Sequence, residues 1–362
     1  MTAAPGIARP ALMADVARLA GVSHQTVSRV LNGHPHVRSE TRQRVLQAVT
    51  ELSYRPNALA RGLATRRSRV LGVVSFDTIL FGPASTLLGI ERAARAAGYG
   101  ISIVTLERVD RAGVLSAVQA LAGQAVDGVI VIAPQVAAAT ALYSLPPGMP
   151  AVAVEAGGDG GLPSVAVDQV AGARMAVEHL LELGHTTVWH VAGPEDWLEA
   201  RDREHGWRST LERVGAVAPP LIAGDWSARS GYAAGTALLS RPDVTAVFVA
   251  NDQMALGLLS ALHSAGIRVP DDISVVGFDD IPESEFLLPP LTTIRQHFDE
   301  VGRRSIATLL ELLDAAERGV DPRPSPPPVE PTLVVRRSSA PPGGGVQRPS
   351  QPPSTGMIAP LT

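Results

Sequence analysis

Between Asp15 and Asn32 the apolar residues recur at helical spacing, and they stop where the chain turns. Val27, Val30 and Leu31 fall at i, i+3 and i+4, a stripe made to be buried, while His24, Gln25, Ser28, Arg29 and Asn32 fall on the opposite face. Gly21 is a natural stop for Asp15–Ala20 and Ser23 a good N-cap for the segment that follows, so the pattern predicts two short helices joined by a tight turn. A third helix is expected from Ser39 to Leu52, with Val45, Val49 and Leu52 facing the first two. Pro56-Asn57 then breaks the chain and can cap a two-turn segment, Ala58–Thr65. That is well below the ~12–15 residues at which an isolated helix becomes marginal, so it needs a partner to fold.

From Val70 the period changes to short apolar runs alternating with amphipathic stretches. Val70–Phe76, Ile101–Leu106, Gly128–Ile132 and Ala151–Val154 read as buried parallel strands, with helices at Ser85–Ala97 and Ala112–Ala122 between them. The rhythm repeats with a helix at Gln169–Leu183, a strand at Thr187–Val191, a helix at Ala200–Val214, a strand at Ala246–Ala250, a helix at Asp252–Ala265 and a strand at Ile273–Phe278. Two doubly wound α/β units in tandem make a bilobed body, with a cleft outside the carboxyl ends of the strands. Phe298–Arg318 is expected to cross back to the first lobe, and Thr332–Val335 to add a last strand. The expected organisation is an all-α headpiece at 12–56, a linker at 57–69 and a body at 70–337. Its first lobe takes 70–167 and 296–322, and its second 168–295 and 330–337. The Pro-, Gly-, Ser- and Gln-rich tail, 338–362, is expected to be disordered, as is the Pro- and Gly-containing arm before Leu12.

Charge sharpens this division. Residues 1–69 hold 11 Arg against 3 Asp plus Glu, a balance of +8, so the rest of a chain of net charge −4 carries −12. A basic head on an acidic body is the electrostatic footprint of nucleic-acid binding. Gln and Arg near the start of a second helix hydrogen-bond base edges in a major groove, and Ser and Asn hold phosphates. The same spacing also suits an ordinary helix pair with a solvated face. Other features exclude. No apolar run approaches the ~18 residues of a membrane span, and no apolar signal region precedes Asp15 and Arg18. The chain has no cysteine, which removes disulfides and thiolate metal sites and fits a cytoplasmic location.

Asp15-Val16-Ala17-Arg18-Leu19-Ala20-Gly21-Val22-Ser23, Thr26-Val27-Ser28-Arg29-Val30-Leu31-Asn32 and Tyr54-Arg55-Pro56-Asn57-Ala58-Leu59-Ala60-Arg61 resemble, in residue and spacing, the headpiece of the lactose-repressor family of bacterial transcription regulators. The body resembles the same family, most closely the branch that gives it its name. The segments that carry this are Ala192-Gly193-Pro194, Gly224-Asp225-Trp226-Ser227-Ala228, Asn251-Asp252-Gln253-Met254-Ala255-Leu256-Gly257, Val275-Val276-Gly277-Phe278-Asp279-Asp280 and Pro289-Pro290-Leu291-Thr292-Thr293-Ile294-Arg295-Gln296. Together the likeness spans residues 12–337. It implies a repressor that binds a near-palindromic operator as a homodimer through Ser23, His24, Gln25, Thr26, Ser28, Arg29 and Asn32. It also makes 58–65 a hinge helix, with Asn57, Ala60 and Leu63 in the minor groove and Leu63 as the wedge. Leu12 and Arg38 depart from the family at positions where it usually has capping Thr or Ser.

The resemblance further implies a sugar site in the cleft. Paired hydroxyls need carboxylates and amides, and a sugar's C–H face needs a flat apolar surface. Asn251 and Asp279 supply the first, Arg203 a fork of donors and Trp226 the platform. Leu80, Pro83, Glu155, Gln296 and Phe298 line the same cavity by carry-over, with Glu155 where the family usually has Asp. Phe76 and Ile132 stand where smaller or polar residues are usual. Each residue has a plainer reading: Asp252 as the helix cap beside a ligand-facing Asn251, Asp279-Asp280 as a turn, Trp226 as core, and Arg201 and Arg203 as surface partners of Glu199 and Glu204. The expected effector is a neutral sugar, a galactoside or related glycoside, acting as inducer. A purine would call for aromatics stacked on both sides, and aromatics are 4% of the chain.

Two other classes compete. A transport-type sugar-binding protein shares the bilobed body but requires an export signal and no basic head. An α/β enzyme is disfavoured because the chain has no lysine, hence no phosphate-binding Gly-x-x-x-x-Gly-Lys loop, and no Gly-x-Ser-x-Gly elbow. The nine histidines show no metal-ligand spacing, and neither cofactor nor membrane partner is expected. A dimer is expected rather than a tetramer, since nothing after Arg337 has a leucine heptad. The expected site of action is the cytoplasmic nucleoid.

Overall fold

The computed structural model describes residues 9, 11–31, 33–54, 67–76, 79–106, 110–143, 145, 148–155, 162–320 and 325–343. Two compact units result, Met1–Ser68 and Arg69–Thr362. The expected hinge segment, the tail beyond Gly343 and all of the arm but Arg9 and Ala11 lie outside the described residues.

In the first unit three helices, α1 (Met13–Ala20), α2 (His24–Leu31) and α3 (Ser39–Glu51), close on Val16, Ala20, Val27, Val30, Val45 and Ala48. Tyr54 seals this core, and Val49 and Leu52 pack against it as expected, half-buried. The missing cap at Leu12 is replaced from inside the helix: the Asp15 carboxylate accepts the Leu12 N–H at 2.9 Å. That bond, more than the flanking Arg9 and Arg18, holds the half-buried Asp15 carboxyl below its usual range. Gly21 adopts the left-handed conformation (φ 64°) that ends α1, and Ser23 Oγ accepts the Thr26 N–H at 3.2 Å, so the turn has the predicted chemistry. No side chain caps α3 at Arg38.

The second unit is built on two twisted sheets. The first contains β1 (Val70–Phe76), β2 (Gly100–Leu106), β3 (Gly128–Ile132), β4 (Ala151–Val154) and β5 (Ser164–Val165), all parallel, in the order β2-β1-β3-β4-β5. Helices α4 (Phe81–Ala96), α5 (Arg111–Gly123) and α6 (Val136–Leu142) follow its first three strands in turn. The second sheet has the order β11-β10-β9-β8-β6-β7. Its strands are β6 (Trp189–Ala192), β7 (Ile222–Ala223), β8 (Ala246–Val249), β9 (Ser274–Asp279), β10 (Thr292–Arg295) and β11 (Thr332–Val334). They alternate with α7 (Gln169–Glu182), α8 (Leu198–Arg213), α9 (Ala228–Leu238) and α10 (Asp252–Ser264), and only β11 runs antiparallel to its neighbour. α11 (Phe298–Arg318) packs on the first sheet against α4, β3 and β4, and the chain then returns to pair β11 with β10. The central strands are buried along almost their whole length because helices cover both faces, which is why β1, β3, β4, β6, β8 and β9 read as mostly apolar rather than alternating runs.

The expectation of a disordered tail from residue 338 is corrected over its first six residues. Ser338 is fully buried: its Oγ accepts the Thr292 N–H at 2.7 Å and donates to the Val275 carbonyl at 2.6 Å, while its carbonyl accepts the Val275 N–H at 2.7 Å. Two residues on, Ala340 exchanges hydrogen bonds with Ser274 Oγ at 2.9 and 3.0 Å and its carbonyl lies 3.1 Å from His185 Nε2. Serine-rich composition suggested solvent, but these hydroxyls and backbone groups bind the ends of β9 and β10. Ser338→Ala leaves a buried N–H and a buried carbonyl without partners, and is expected to lower the unfolding free energy by about 1–3 kcal/mol in a urea titration.

Candidate functional site

The face of α2 opposite its buried Val27 and Val30 carries Ser23, His24, Gln25 and Arg29 exposed and Thr26 and Ser28 half-buried. The three-helix core therefore presents one polar helix face from a unit whose sequence is strongly basic. Asn32, Asn57, Ala60 and Leu63 lie outside the described residues.

In the second unit, seven of the nine expected effector residues meet around one cavity at the carboxyl edges of the two sheets. Leu80 and Pro83 come from the start of α4, Arg203 from α8, Trp226 from the turn before α9, and Asn251, Asp279 and Gln296 from the ends of β8, β9 and β10. Phe81, Gly82, Trp197, Glu199 and Gln253 complete the lining. The remaining two expected residues need correction. Phe298 heads α11 and stands edge-on to Phe81 at 5.8 Å, supporting the wall from behind. Glu155, held in a left-handed conformation (φ 57°), accepts the Val167 N–H at 3.3 and 3.4 Å and is buried behind Arg203.

Arg203 is the centre of the polar arrangement and is only 2% exposed, so the surface ion-pair reading fails. Its Nε donates to Gln169 Oε1 at 2.9 Å and its Nη1 to the Ala250 carbonyl at 2.5 Å. Its Nη2 lies 4.0 Å from Glu199 and 3.9 Å from Asp279, and its plane sits 3.9 Å from the Phe278 ring centre. Arg201, two residues earlier, turns outward to the Glu195 carbonyl. One guanidinium thus faces three buried acids. Burial pushes Asp279 up to about 8 despite Arg203 and a 2.6 Å hydrogen bond from Gln296 Nε2. Burial likewise raises Glu155 well above its ordinary range, with Glu199 adding repulsion, and raises Glu199 against the pull of Arg203.

The expected cap is corrected: Asn251, not Asp252, caps the helix, while Asn251 keeps its expected place on the cavity wall. Asn251 Oδ1 accepts the Met254 N–H at 2.9 Å and caps α10, while its Nδ2 donates to the Trp226 carbonyl at 3.1 Å and Gln253 Oε1 at 3.0 Å. Asn251 reaches the cavity wall with its hydrogen bonds already made. Asp252 is fully buried and gathers Ser284 Oγ (2.6 Å), Thr293 Oγ1 (2.7 Å) and the Ile281 N–H (3.0 Å), tying the loop after β9 to β10. Asp280 is a turn residue held by Arg295 and Arg336, each at 2.6 Å.

The aromatic residues shape the cavity more than expected. Trp226 (φ 70°) lays its six-membered ring over Gly193, where a Cβ would fall 2.2–2.7 Å from ring atoms, so only glycine fits there. Its other surroundings are Trp197, edge-on at 5.6 Å, and Arg203; its indole N–H is buried without a partner. Trp197 in turn meets Phe76 of the first sheet at 5.7 Å. Few as the aromatics are, they concentrate here, so overall scarcity is no argument against an aromatic ligand. Geometry is: the two indole planes stand at 72°, leaving no parallel slot for a planar base.

The cavity is shut. Its volume is about 20 Å³, room for roughly one water and far below the ~300–1,000 Å³ of occupied small-molecule sites. A backbone bridge between the lobes keeps it so: Gln135 pairs with Trp197, the Val136 N–H donates to the Asp196 carbonyl at 3.1 Å and the Leu198 N–H to the Pro134 carbonyl at 2.8 Å. A wider open groove of about 960 Å³ runs along the start of α11, where Arg92 pairs with Asp299 and Arg303 and Arg304 with Glu300. Among the described residues no His/Asp/Glu cluster has the arrangement of a metal site, and no helix is long and apolar enough to cross a membrane.

Comparison with known proteins agrees with this architecture. Residues 12–57 match the family described as bacterial regulatory proteins, lacI family, and residues 177–339 match a periplasmic binding protein-like domain. The chain is 38% identical over 306 residues to the lactose operon repressor of Escherichia coli (strain K12), covering 84% of this chain and 85% of that one. It is 32% identical over 332 residues to the HTH-type transcriptional repressor PurR of Haemophilus influenzae, covering 91% and 98%. Among solved structures it resembles the lac repressor dimer bound to operator and the anti-inducer ONPF, with a TM-score of 0.81, 36% identity and coverage of 92% of this chain and all of that one.

The buried acids give a signed pH dependence. A carboxyl whose pKa is raised on folding keeps a proton that the unfolded chain loses, so its contribution is complete below the ordinary value of 3.8 and is lost as pH rises towards 8 for Asp279. Asp252, pushed up to about 6 by burial, acts in the same sense at lower pH. His190, pushed down to about 4 by burial, acts oppositely, but only between about 4 and 6.5. From pH 6.5 to 8 the acids alone remain, so stability should fall. Asp279→Asn is expected to make that slope shallower in urea titrations at pH 6.5, 7.25 and 8; an unaltered slope would show that Asp279 does not hold the proton.

Proposed function

The chain belongs to the lacI family of DNA-binding transcriptional repressors, and on that premise we propose that it is a homodimeric cytoplasmic repressor released from its operator by a sugar, a galactoside or related glycoside. Its relatives are repressors rather than enzymes. Gln25 and Arg29 read base edges, His24 sets which sequence is preferred, and Ser23, Thr26, Ser28 and Asn32 hold phosphates and orient the helix. Two-fold protein symmetry demands two half-sites. Asn57, Ala60 and Leu63 belong to a hinge that enters the minor groove between them.

The observation that carries the effector reading is the cavity itself. Asp279, Arg203 and Gln296 converge with Gln253 and Trp226 on a space walled by Leu80 and Pro83 of the other lobe. Carboxylate, guanidinium and amides at one edge and apolar surface at the other suit a ring with hydroxyls on its rim. Kinship alone does not choose the ligand, since the relatives include both a lactose operon repressor and PurR. The crossed indole planes favour a sugar over a base.

Control follows from the cavity's small volume. A sugar occupies it only if the lobes separate and the bridge at Gln135 and Trp197 breaks. Ligand therefore favours an arrangement other than the closed one, and it releases DNA if the closed arrangement is the one that binds operator. Leu80 and Pro83, directly after β1, transmit the change, while Arg203 and Asp279 hold the ligand.

The test is an operator titration with a panel of galactosides, glucosides and nucleobases. At least one sugar should weaken operator binding, and none should tighten it. Tighter binding with a sugar would overturn induction, and a response to nucleobases alone would overturn the ligand class.

A further inference from the structure

Glu199 is the cavity-lining acid that the sugar reading leaves without work. It lies on the first turn of α8, its side chain 13% exposed, and its only partner among the described residues is Arg203 Nη2 at 4.0 Å, beyond hydrogen-bond reach. Asp279, across the cavity, is served by Gln296 and stands 3.9 Å from the same Nη2. Arg203 has committed Nε to Gln169 and Nη1 to Ala250, so a single nitrogen stands between two carboxylates and hydrogen-bonds neither. Behind it, Glu155 adds a third acid. Around Glu199 the charged groups are Arg203 and Asp202 on its own helix, the latter exposed and facing His205 as well, Asp279 at the end of β9 and Glu155 after β4; one buried cation serves Glu199, Asp279 and Glu155.

A neutral sugar does not resolve this imbalance, because a hydroxyl brings no charge. The empty site resolves it by keeping protons, the direction in which burial moves Glu199, Glu155 and Asp279. A ligand cation resolves it directly, and an ammonium between Glu199 and Asp279 would make charge-assisted hydrogen bonds to both. The Trp226 indole N–H, buried and unpaired, calls for an acceptor such as a ring hydroxyl oxygen on the same molecule.

Resting on the sugar reading above, we propose that the effector is an amino sugar, a glycoside or hexose bearing a free protonated amine, and that Glu199 is the residue that selects it. Binding then exchanges protons on the acids for the ligand's charge, so protons are released as the ligand enters.

The test uses the full-length protein, with tryptophan fluorescence and calorimetry as readouts. The probes are galactosamine and glucosamine, their N-acetyl derivatives, and galactose and glucose. The amines should bind at least roughly tenfold more tightly than the N-acetyl and hydroxyl counterparts. Calorimetry of the unmodified protein in buffers of different ionisation enthalpy should show protons released with the amine and fewer with the neutral sugar. Glu199→Gln, nearly isosteric, should bring the amine-to-neutral ratio to within about threefold, and Glu199→Asp should restore part of it. Equal binding of amines and neutral sugars, or a preference that survives Glu199→Gln, would overturn the assignment of Glu199 while leaving the sugar reading intact. Binding of no sugar, charged or neutral, would overturn both.

Discussion

A guanidinium buried among carboxylates is the constraint on which the ligand-binding body turns. Arg203 is held by Gln169 and the Ala250 carbonyl, and its plane lies against Phe278. Taking such a charge out of water costs several kcal/mol unless its partners are well placed. Here they are placed for another purpose. Glu199 and Asp279 stand just too far away for good bonds, and burial leaves them protonated more readily than ordinary acids. The site holds polar groups in reserve, in a cavity too small for a ligand, between lobes bridged by their backbones.

That arrangement joins recognition to motion. The groups that bind come mainly from the second sheet, whereas the lid, Leu80 to Pro83, belongs to the first. Trp197 touches both, through Phe76 on one side and Trp226 on the other, and its own backbone forms the bridge. A ligand that pries these aromatics apart changes the relation of the lobes, and equal affinity for both arrangements would change nothing. Strain need not be invoked; two packings of the same surfaces suffice.

Much of this was legible in the sequence, for identifiable reasons. The three headpiece helices follow from periodicity and from Gly21 and Ser23, and the central strands from uninterrupted apolar runs. Helix α9 was not, because Ala228–Leu238 is rich in Gly, Ala and Ser so as to lie backbone-close against α10: a Cβ at Gly231 would fall 1.9 Å from the Met254 carbonyl. The two-residue strands β5 and β7 are too short to carry a period. Ser338 and its neighbours looked like tail because their role depends on β9 and β10, distant in sequence. Glu199, four residues before Arg203, looked like half of a surface pair; only the bridge from Gln135 to Trp197 makes that turn of α8 a cavity wall. The cap fell to Asn251 rather than Asp252 because adjacent residues of similar capping chemistry differ only in which one the following loop can reach.

The central claim is that ligand and operator prefer different separations of the two lobes. The chain has no cysteine, so Arg95→Cys on α4 and Arg208→Cys on α8, both at exposed positions on different lobes, provide one pair of spin-label sites per protomer, read in dimers that carry label on one protomer only. Pulsed electron-spin distance measurements should give one distribution for free and operator-bound protein within each protomer and a shifted one with saturating sugar, the shift reversing as operator is added in excess. An unshifted distribution with a sugar that nonetheless releases operator would contradict the account.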